Sequence, residues 1–142
     1  STLSFPALNL AHAQGGPLKI GLITPLSGPQ EFIGSYVKNG AEIAVDQINK
    51  AGGILGRQVA LEIRDDKANP AAALAAAREL LGAGINLHTG EISSAVVLAL
   101  IPVMQQENGV FMTCGAGTET PKRAAKIQLA GTGAEVHLGH RH

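Results

Sequence analysis

Residues 17–66 read PLKIGLITPLSGPQEFIGSYVKNGAEIAVDQINKAGGILGRQVALEIRDD, and this stretch decides the fold class. The apolar run Leu18–Thr24 predicts a buried parallel strand. Apolar residues at helical spacing predict a helix over residues 33–50, and two glycines follow it, as is common where helices end. Alternation over residues 58–64 predicts a second strand. The stretch is therefore interpreted as one strand–helix–strand unit.

The rest of the chain continues the same alternation of elements. Helices are predicted over residues 70–81 and from Ser93 or Ser94 to about residue 107, and strands over residues 85–88 and 110–113. Pro102 should kink the second of these helices or shift its packing. The order βαβαβαβ with short connections predicts an α/β fold, with an open parallel sheet and helices on both faces.

Composition excludes several function classes. The chain has 142 residues, and its 11 Lys plus Arg balance 11 Asp plus Glu, so no basic excess indicates nucleic acid or a membrane surface. No apolar run approaches the ~18 residues of a transmembrane helix. The single cysteine, Cys114, follows apolar residues, so we expect a small, partly buried side chain at a strand end.

Three segments should meet where a ligand would bind. In an open α/β sheet that place lies beyond the carboxyl ends of the strands, which predicts residues 26–33, 90–94 and 114–118. In GEISS (residues 90–94), two hydroxyls and unpaired backbone N–H groups open a helix and favour an anion such as an α-carboxylate. The alternative is plain N-capping by one serine. Because the carboxylate of Glu91 would repel an anion, we expect it to point to solvent or toward an ammonium group.

Small residues follow the fourth strand, where a ligand could approach the main chain; they are Gly115, Ala116, Gly117 and Thr118. The alternative is a flexible turn without a ligand. Neither a P-loop nor a dinucleotide-binding glycine pattern occurs, so no cofactor is predicted. Asp65 and Asp66 are expected to cap backbone groups at a strand end. The terminal HLGHRH (residues 137–142) could bind a transition metal, but we interpret it as incidental surface sequence and predict no metal site.

Several short motifs, in their order and spacing, resemble the branched-chain amino-acid (Leu/Ile/Val) class of periplasmic solute-binding proteins of ABC importers. They are LSGP at 26–29, NGA at 39–41, AGGILGR at 51–57, DD at 65–66 and SS at 93–94. The resemblance implies a Rossmann- or flavodoxin-like lobe of a type I binding protein. It also implies capture of an amino acid in the periplasm, delivery to the membrane subunits of an importer, and no enzymatic activity.

The resemblance also assigns roles to residues. Ser93 or Ser94 would hold the ligand carboxylate, and Phe32 or Ile33 would line the side-chain pocket. The backbone and hydroxyl of the small-residue loop would bind carboxylate and ammonium; this loop comprises Gly115, Ala116, Gly117 and Thr118. The loop carries no hydroxyl before Thr118, so its register differs from the family pattern.

The chain is expected to divide into three parts. Residues 1–16 resemble the remnant of an export signal cleaved after Ala13, the alternative being an arbitrary flexible terminus. Residues 17–121 would form an incomplete N-terminal ligand-binding lobe, and residues 122–142 an atypical, loosely ordered tail. One lobe should bind weakly, if at all, and its uncovered surface should favour a homodimer or larger assembly. The alternatives are an interaction module acting by oligomerisation or small-ligand regulation, and an enzyme on the same sheet.

Overall fold

The computed structural model describes residues 15–115, and within them seven elements follow the predicted order. They are β1 (Leu18–Thr24), α1 (Glu31–Lys50), β2 (Val59–Asp65), α2 (Pro70–Gly82), β3 (Leu87–Thr89), α3 (Ser94–Gln106) and β4 (Val110–Met112). The predicted elements are thus confirmed, with ends that differ by one or two residues. No helix in this part of the chain is long and apolar enough to cross a membrane.

The four strands form one parallel sheet in the order β2-β1-β3-β4, as predicted. The pairing of β1 with β2 runs over seven residues, from Leu18↔Val59 to Thr24↔Asp65. The chain adds β2 on one side of β1 and then β3 and β4 on the other. The strand order therefore reverses at β1, and the crevice beyond its carboxyl end is where such sheets bind ligands.

Helices cover both faces of the sheet. Ile23 of β1 packs with α2 and α3 in the main core, which is built from Ile23, Ala73, Ala76, Ala77, Leu80, Ile85, Val96 and Leu100. The alanines of α2 allow a close approach to the strands. The neighbouring Leu22 points to the opposite face, toward α1, because side chains alternate along a strand.

Helix α1 is anchored near each end and packs loosely between. Near its start, Gly34 lies so close to the preceding loop that an added Cβ would be 1.7 Å from the carbonyl oxygen of Pro25. Near its end, the side chain of Asn49 donates to the carbonyl of Val59 (2.9 Å) and accepts from the Val59 N–H (2.7 Å).

An apolar groove of about 420 Å³ lies between α1 and the sheet. The groove is lined by Ile20, Leu22, Tyr36, Val37, Gly40, Ala41, Ala44, Val45, Ile48, Val59, Leu61, Thr89 and Cys114. Gly34 is the one fully buried residue of α1, so this helix contributes less to the core than α2 or α3.

The contact at Gly34 gives a sharp test of this packing. Gly34→Ala should destabilise the protein by at least ~2 kcal/mol, because its Cβ would collide with backbone that cannot move without shifting the helix. Gly40→Ala is the matched control in the same helix, where an added Cβ meets nothing within 4 Å. It should stabilise the protein by about 0.5–1 kcal/mol through helix propensity. Urea unfolding followed by circular dichroism would measure both, and equal effects would contradict this account.

Candidate functional site

The segments that follow β3 and β4 meet at the carboxyl edge of the sheet. The main-chain oxygen of Glu91 accepts hydrogen bonds from the Thr113 hydroxyl (2.9 Å), the Cys114 N–H (3.1 Å) and the Gly115 N–H (3.3 Å). A Cβ added at Gly115 would lie 3.6 Å from Cγ2 of Ile92, the residue before Ser93. Two of the three predicted segments are therefore adjacent. Residues 116–118, which carry the rest of the small-residue loop, lie outside the described residues.

The loop that follows β1 is held at this edge by Asp65. One carboxylate oxygen accepts from the N–H groups of Leu26 (2.8 Å) and Lys67 (2.9 Å), and the other accepts from the Ser27 hydroxyl (2.6 Å). Partial burial opposes ionisation of Asp65, but these hydrogen bonds and the charge of Lys67 outweigh it and lower the pKa of the carboxyl. The expected capping role of Asp65 is confirmed.

Asp66 also caps backbone groups, from a fully buried position. Its Oδ1 accepts from the Ala68 N–H (2.7 Å), and its own N–H donates to the carbonyl of Thr24 (3.3 Å). Lys67 and Ala68 both adopt left-handed conformations, with φ of 53° and 54°. Such conformations cost roughly 1–2 kcal/mol per residue, and the two aspartates offset part of that cost by accepting the N–H groups of this turn.

The expectation for Glu91 is wrong: its side chain is fully buried and does not reach solvent. Gly90 has φ +115°, and a Cβ there would lie 2.7 Å from the carbonyl oxygen of Ile23 and 2.6 Å from Cδ1 of Leu22. This close turn directs the following side chain inward. Burial, together with the nearby carboxyl of Asp66 and thiol of Cys114, raises the pKa of Glu91 to about 10. A neutral Glu91 does not repel an anion.

The start of α3 has unused hydrogen-bonding capacity. Ser93 occupies the N-cap position with an extended conformation (φ −89°, ψ 124°), but its side chain makes no capping hydrogen bond. The alternative of plain N-capping by this serine is therefore not observed. Ser93 and Ser94 are both partly buried, and the preceding Ile92 lies beside Gly115. The first-turn N–H groups of a helix lack intrahelical partners and favour an anion.

The predicted pocket residues Phe32 and Ile33 lie in the first turn of α1, on the same edge of the sheet. They are 69% and 49% exposed, and the ring of Phe32 packs edge-to-face on Tyr36 with a centroid separation of 4.9 Å. Cys114 was expected to be partly buried, but it is exposed. The reason is that β4 ends at Met112, so Cys114 lies beyond the sheet, where its sulfur is 3.6 Å from the Thr89 hydroxyl.

Within residues 15–115, no three His, Cys, Asp or Glu side chains are grouped so that they could hold a metal ion. The histidines of residues 137–142, the proposed cleavage after Ala13 and the tail of residues 122–142 lie outside the described residues.

Comparison with known proteins adds an independent line of evidence. A family model described as periplasmic binding protein matches residues 17–136, which extends beyond the lobe boundary predicted at residue 121. The Leu/Ile/Val-binding protein BraC3 of Rhizobium johnstonii is 46% identical over 109 residues, which are 77% of this chain and 29% of that protein. Leu/Ile/Val-binding protein homolog 3 of Brucella melitensis is 40% identical over 119 residues, 83% of this chain and 32% of that protein.

Among solved structures, the chain is similar to the branched-chain amino acid transporter substrate binding protein LivJ from Streptococcus pneumoniae, solved in complex with isoleucine. The TM-score is 0.74 at 25% sequence identity, covering 78% of this chain and 32% of that chain. The chain thus spans about a third of the length of these similar proteins.

The role of Asp65 as the anchor of the β1 loop can be tested by its removal. Asp65→Ala should cost about 2 kcal/mol near neutral pH, since hydrogen bonds to a charged acceptor are lost. Because ionisation of Asp65 is favoured by folding, this difference should persist above about pH 4 and shrink as the pH falls through the lowered pKa. Chemical unfolding at several pH values would measure it.

Asp46→Ala is the matched control, because it removes an aspartate from an exposed pair with Lys50 in α1. It should cost less than about 0.5 kcal/mol. Similar losses in the two variants would contradict an anchoring role for Asp65.

Proposed function

The chain belongs to the periplasmic binding protein family, and we propose that it forms the N-terminal part of the solute receptor of an ABC importer. In this proposal it captures amino acids, branched-chain or related, in the periplasm for delivery to the importer's membrane subunits. The observation that carries the proposal is the start of α3, where Ser93 makes no capping bond and the two preceding residues contact the segment that follows β4. The names of the similar proteins support the class of ligand.

The proposed binding mode follows from the charges at this edge. The α-carboxylate of the ligand would accept hydrogen bonds from the first-turn N–H groups of α3 and the hydroxyls of Ser93 or Ser94. A buried, neutral Glu91 leaves the positive end of the helix uncompensated. Backbone groups of the small-residue loop would complete the polar contacts, and Phe32 or Ile33 would contact the apolar side chain; the loop comprises Gly115, Ala116, Gly117 and Thr118.

The proposed activity is binding without catalysis, and the proposed location is the periplasm, reached by export and cleavage after Ala13. The solute receptors to which the chain is similar are more than twice its length. Association costs several kcal/mol of translational and rotational freedom, whereas one lobe supplies only part of the polar contacts. The chain alone should therefore bind its ligand weakly.

Titration of the labelled 142-residue chain with leucine, followed by amide NMR, tests this mode. Leucine should bind with a Kd of about 1 mM or weaker and should shift the amide signals of Ser93, Ser94 and Gly115. Leucinamide, which lacks the carboxylate, should leave them unchanged. Replacing both serines by alanine should weaken binding by at least about tenfold, since hydrogen bonds to a charged group are removed.

Ser35→Ala is the control, because it removes a hydroxyl from α1 and leaves the start of α3 intact. It should bind leucine as the unmodified chain does. Equal binding of leucine and leucinamide, or full affinity in the double variant, would contradict recognition of the carboxylate at α3.

A second candidate function is an interaction module that acts by self-association. The apolar groove beside α1 favours it, together with the exposed side chains of Tyr36 (64%) and Met112 (69%). A second copy of the chain could cover this surface, because contiguous exposed apolar area favours association.

Sedimentation velocity over a range of concentrations would test self-association through the groove. The unmodified chain should form dimers or larger species, and Tyr36→Lys should shift the population toward the monomer by placing a charge in the groove. Leu55→Lys is the control, since Leu55 is 90% exposed in a turn that does not line the groove. A monomer at every concentration, or equal effects of the two substitutions, would contradict this role.

A further inference from the structure

Two fully buried carboxyl groups interact with each other at the carboxyl edge of the sheet. Asp66 follows β2 and Glu91 follows β3, and neither side chain is accessible to solvent. Both side-chain oxygens of Glu91 and the Oδ2 of Asp66 are buried without a hydrogen-bond partner in the described part of the chain. None of the ion pairs formed among residues 15–115 includes either residue.

Elementary electrostatics limits the protonation state of such a pair. Two ionised carboxylates enclosed side by side would repel each other, and each would lose its hydration without a compensating cation. One proton removes the repulsion and supplies the missing donor. The adjacent carboxyl of Asp66 then accepts the hydrogen bond that a protonated Glu91 donates.

We propose that Glu91 is a positioning residue of the binding site, held in place as a protonated acid that donates its hydrogen bond to Asp66. Its main-chain oxygen accepts the Thr113 hydroxyl and the N–H groups of Cys114 and Gly115, so its position sets that of the segment following β4. The main-chain N–H of Asp66 in turn donates to the carbonyl of Thr24 at the end of β1. Main-chain groups of the two acidic residues thereby link the carboxyl ends of all four strands.

The proposal has a defined effect on stability. The groups that act on Glu91 through space are Asp66, after β2, and Cys114, after β4, and together with burial they raise its pKa to about 10. In the unfolded chain the same carboxyl ionises near the ordinary pKa of a glutamate, 4.5. Between these values the folded chain holds one more proton, so stability falls as the pH rises, by about tenfold in the folding equilibrium constant per pH unit.

The test compares the 142-residue chain with Glu91→Gln by urea unfolding between about pH 5 and about pH 9. Glutamine keeps the buried shape and a donor for Asp66 but cannot ionise. The folding constant of the variant, divided by that of the unmodified chain, should therefore rise by about tenfold per pH unit. The variant should be the more stable of the two near neutral pH. Glu107→Gln is the control, because Glu107 is exposed at the end of α3, and its ratio should stay constant. A constant ratio for Glu91→Gln would overturn the proposal.

Infrared difference spectra give a second measurement that does not depend on unfolding. At neutral pH the chain should show the carbonyl band of a protonated carboxylic acid, and Glu91→Gln should lack it. Absence of the band in the unmodified chain, or its persistence in the variant, would contradict the assignment. So would a stability that depends on added metal salts, because a cation would then replace the proton.

The positioning role is tested by hydrogen exchange at the amides of Cys114 and Gly115. Glu91→Ala should accelerate this exchange by at least about tenfold, and Glu91→Gln should restore protection. Equal exchange in both variants would show that the acid pair does not hold this segment. The protonated pair and its effect on the segment after β4 do not depend on the proposed function. The proposal rests on that function only for the statement that this segment belongs to a binding site. Loss of leucine binding with an intact pH profile would therefore count against that function and not against the acid pair.

Discussion

The carboxyl-terminal half of strand β1 is buried, and this burial sets the position of everything at the carboxyl edge. It lies between β2 and β3, and its residues Leu22 and Ile23 are fully buried on opposite faces of the sheet. Burial of two such side chains contributes on the order of 3–6 kcal/mol. Because the strand cannot shift without exposing these two side chains, its carboxyl end keeps its position in the sheet. The turns at Gly90 and at Asp65 are both built against that end.

The chemistry of the candidate site depends on which polar groups are satisfied locally. The two aspartates at the end of β2 use their oxygens to hold backbone turns, and Asp65 is thereby stabilised as an anion. The start of α3, by contrast, lacks a capping hydrogen bond from Ser93. A positive helix end and a neutral Glu91 leave this region suited to a carboxylate. An anionic ligand would thus complete a helix terminus that the protein leaves incomplete.

Local sequence patterns predicted the strands and helices well, because periodicity and glycine signals report on neighbouring residues. The capping role of the Asp65-Asp66 pair was predictable for the same reason. Glu91 was not, because its burial depends on the approach of Gly90 to the backbone of Ile23, a contact between different strands. The exposure of Cys114 depends likewise on β4 ending two residues earlier. A glycine followed directly by a charged residue, at the end of a strand, was the available signal for an inward turn.

Helix α1 is held mainly by contacts near its two ends. Gly34 fixes it to the loop that follows β1, Asn49 fixes it to the start of β2, and the span between faces an apolar groove. A helix supported in this way can roll about the line that joins its supports without breaking either one. Such a motion would widen or narrow the groove while the carboxyl edge stays still. The face of the sheet that carries α1 is therefore less densely packed than the face that carries α2 and α3, and the room for such a motion lies on that face alone.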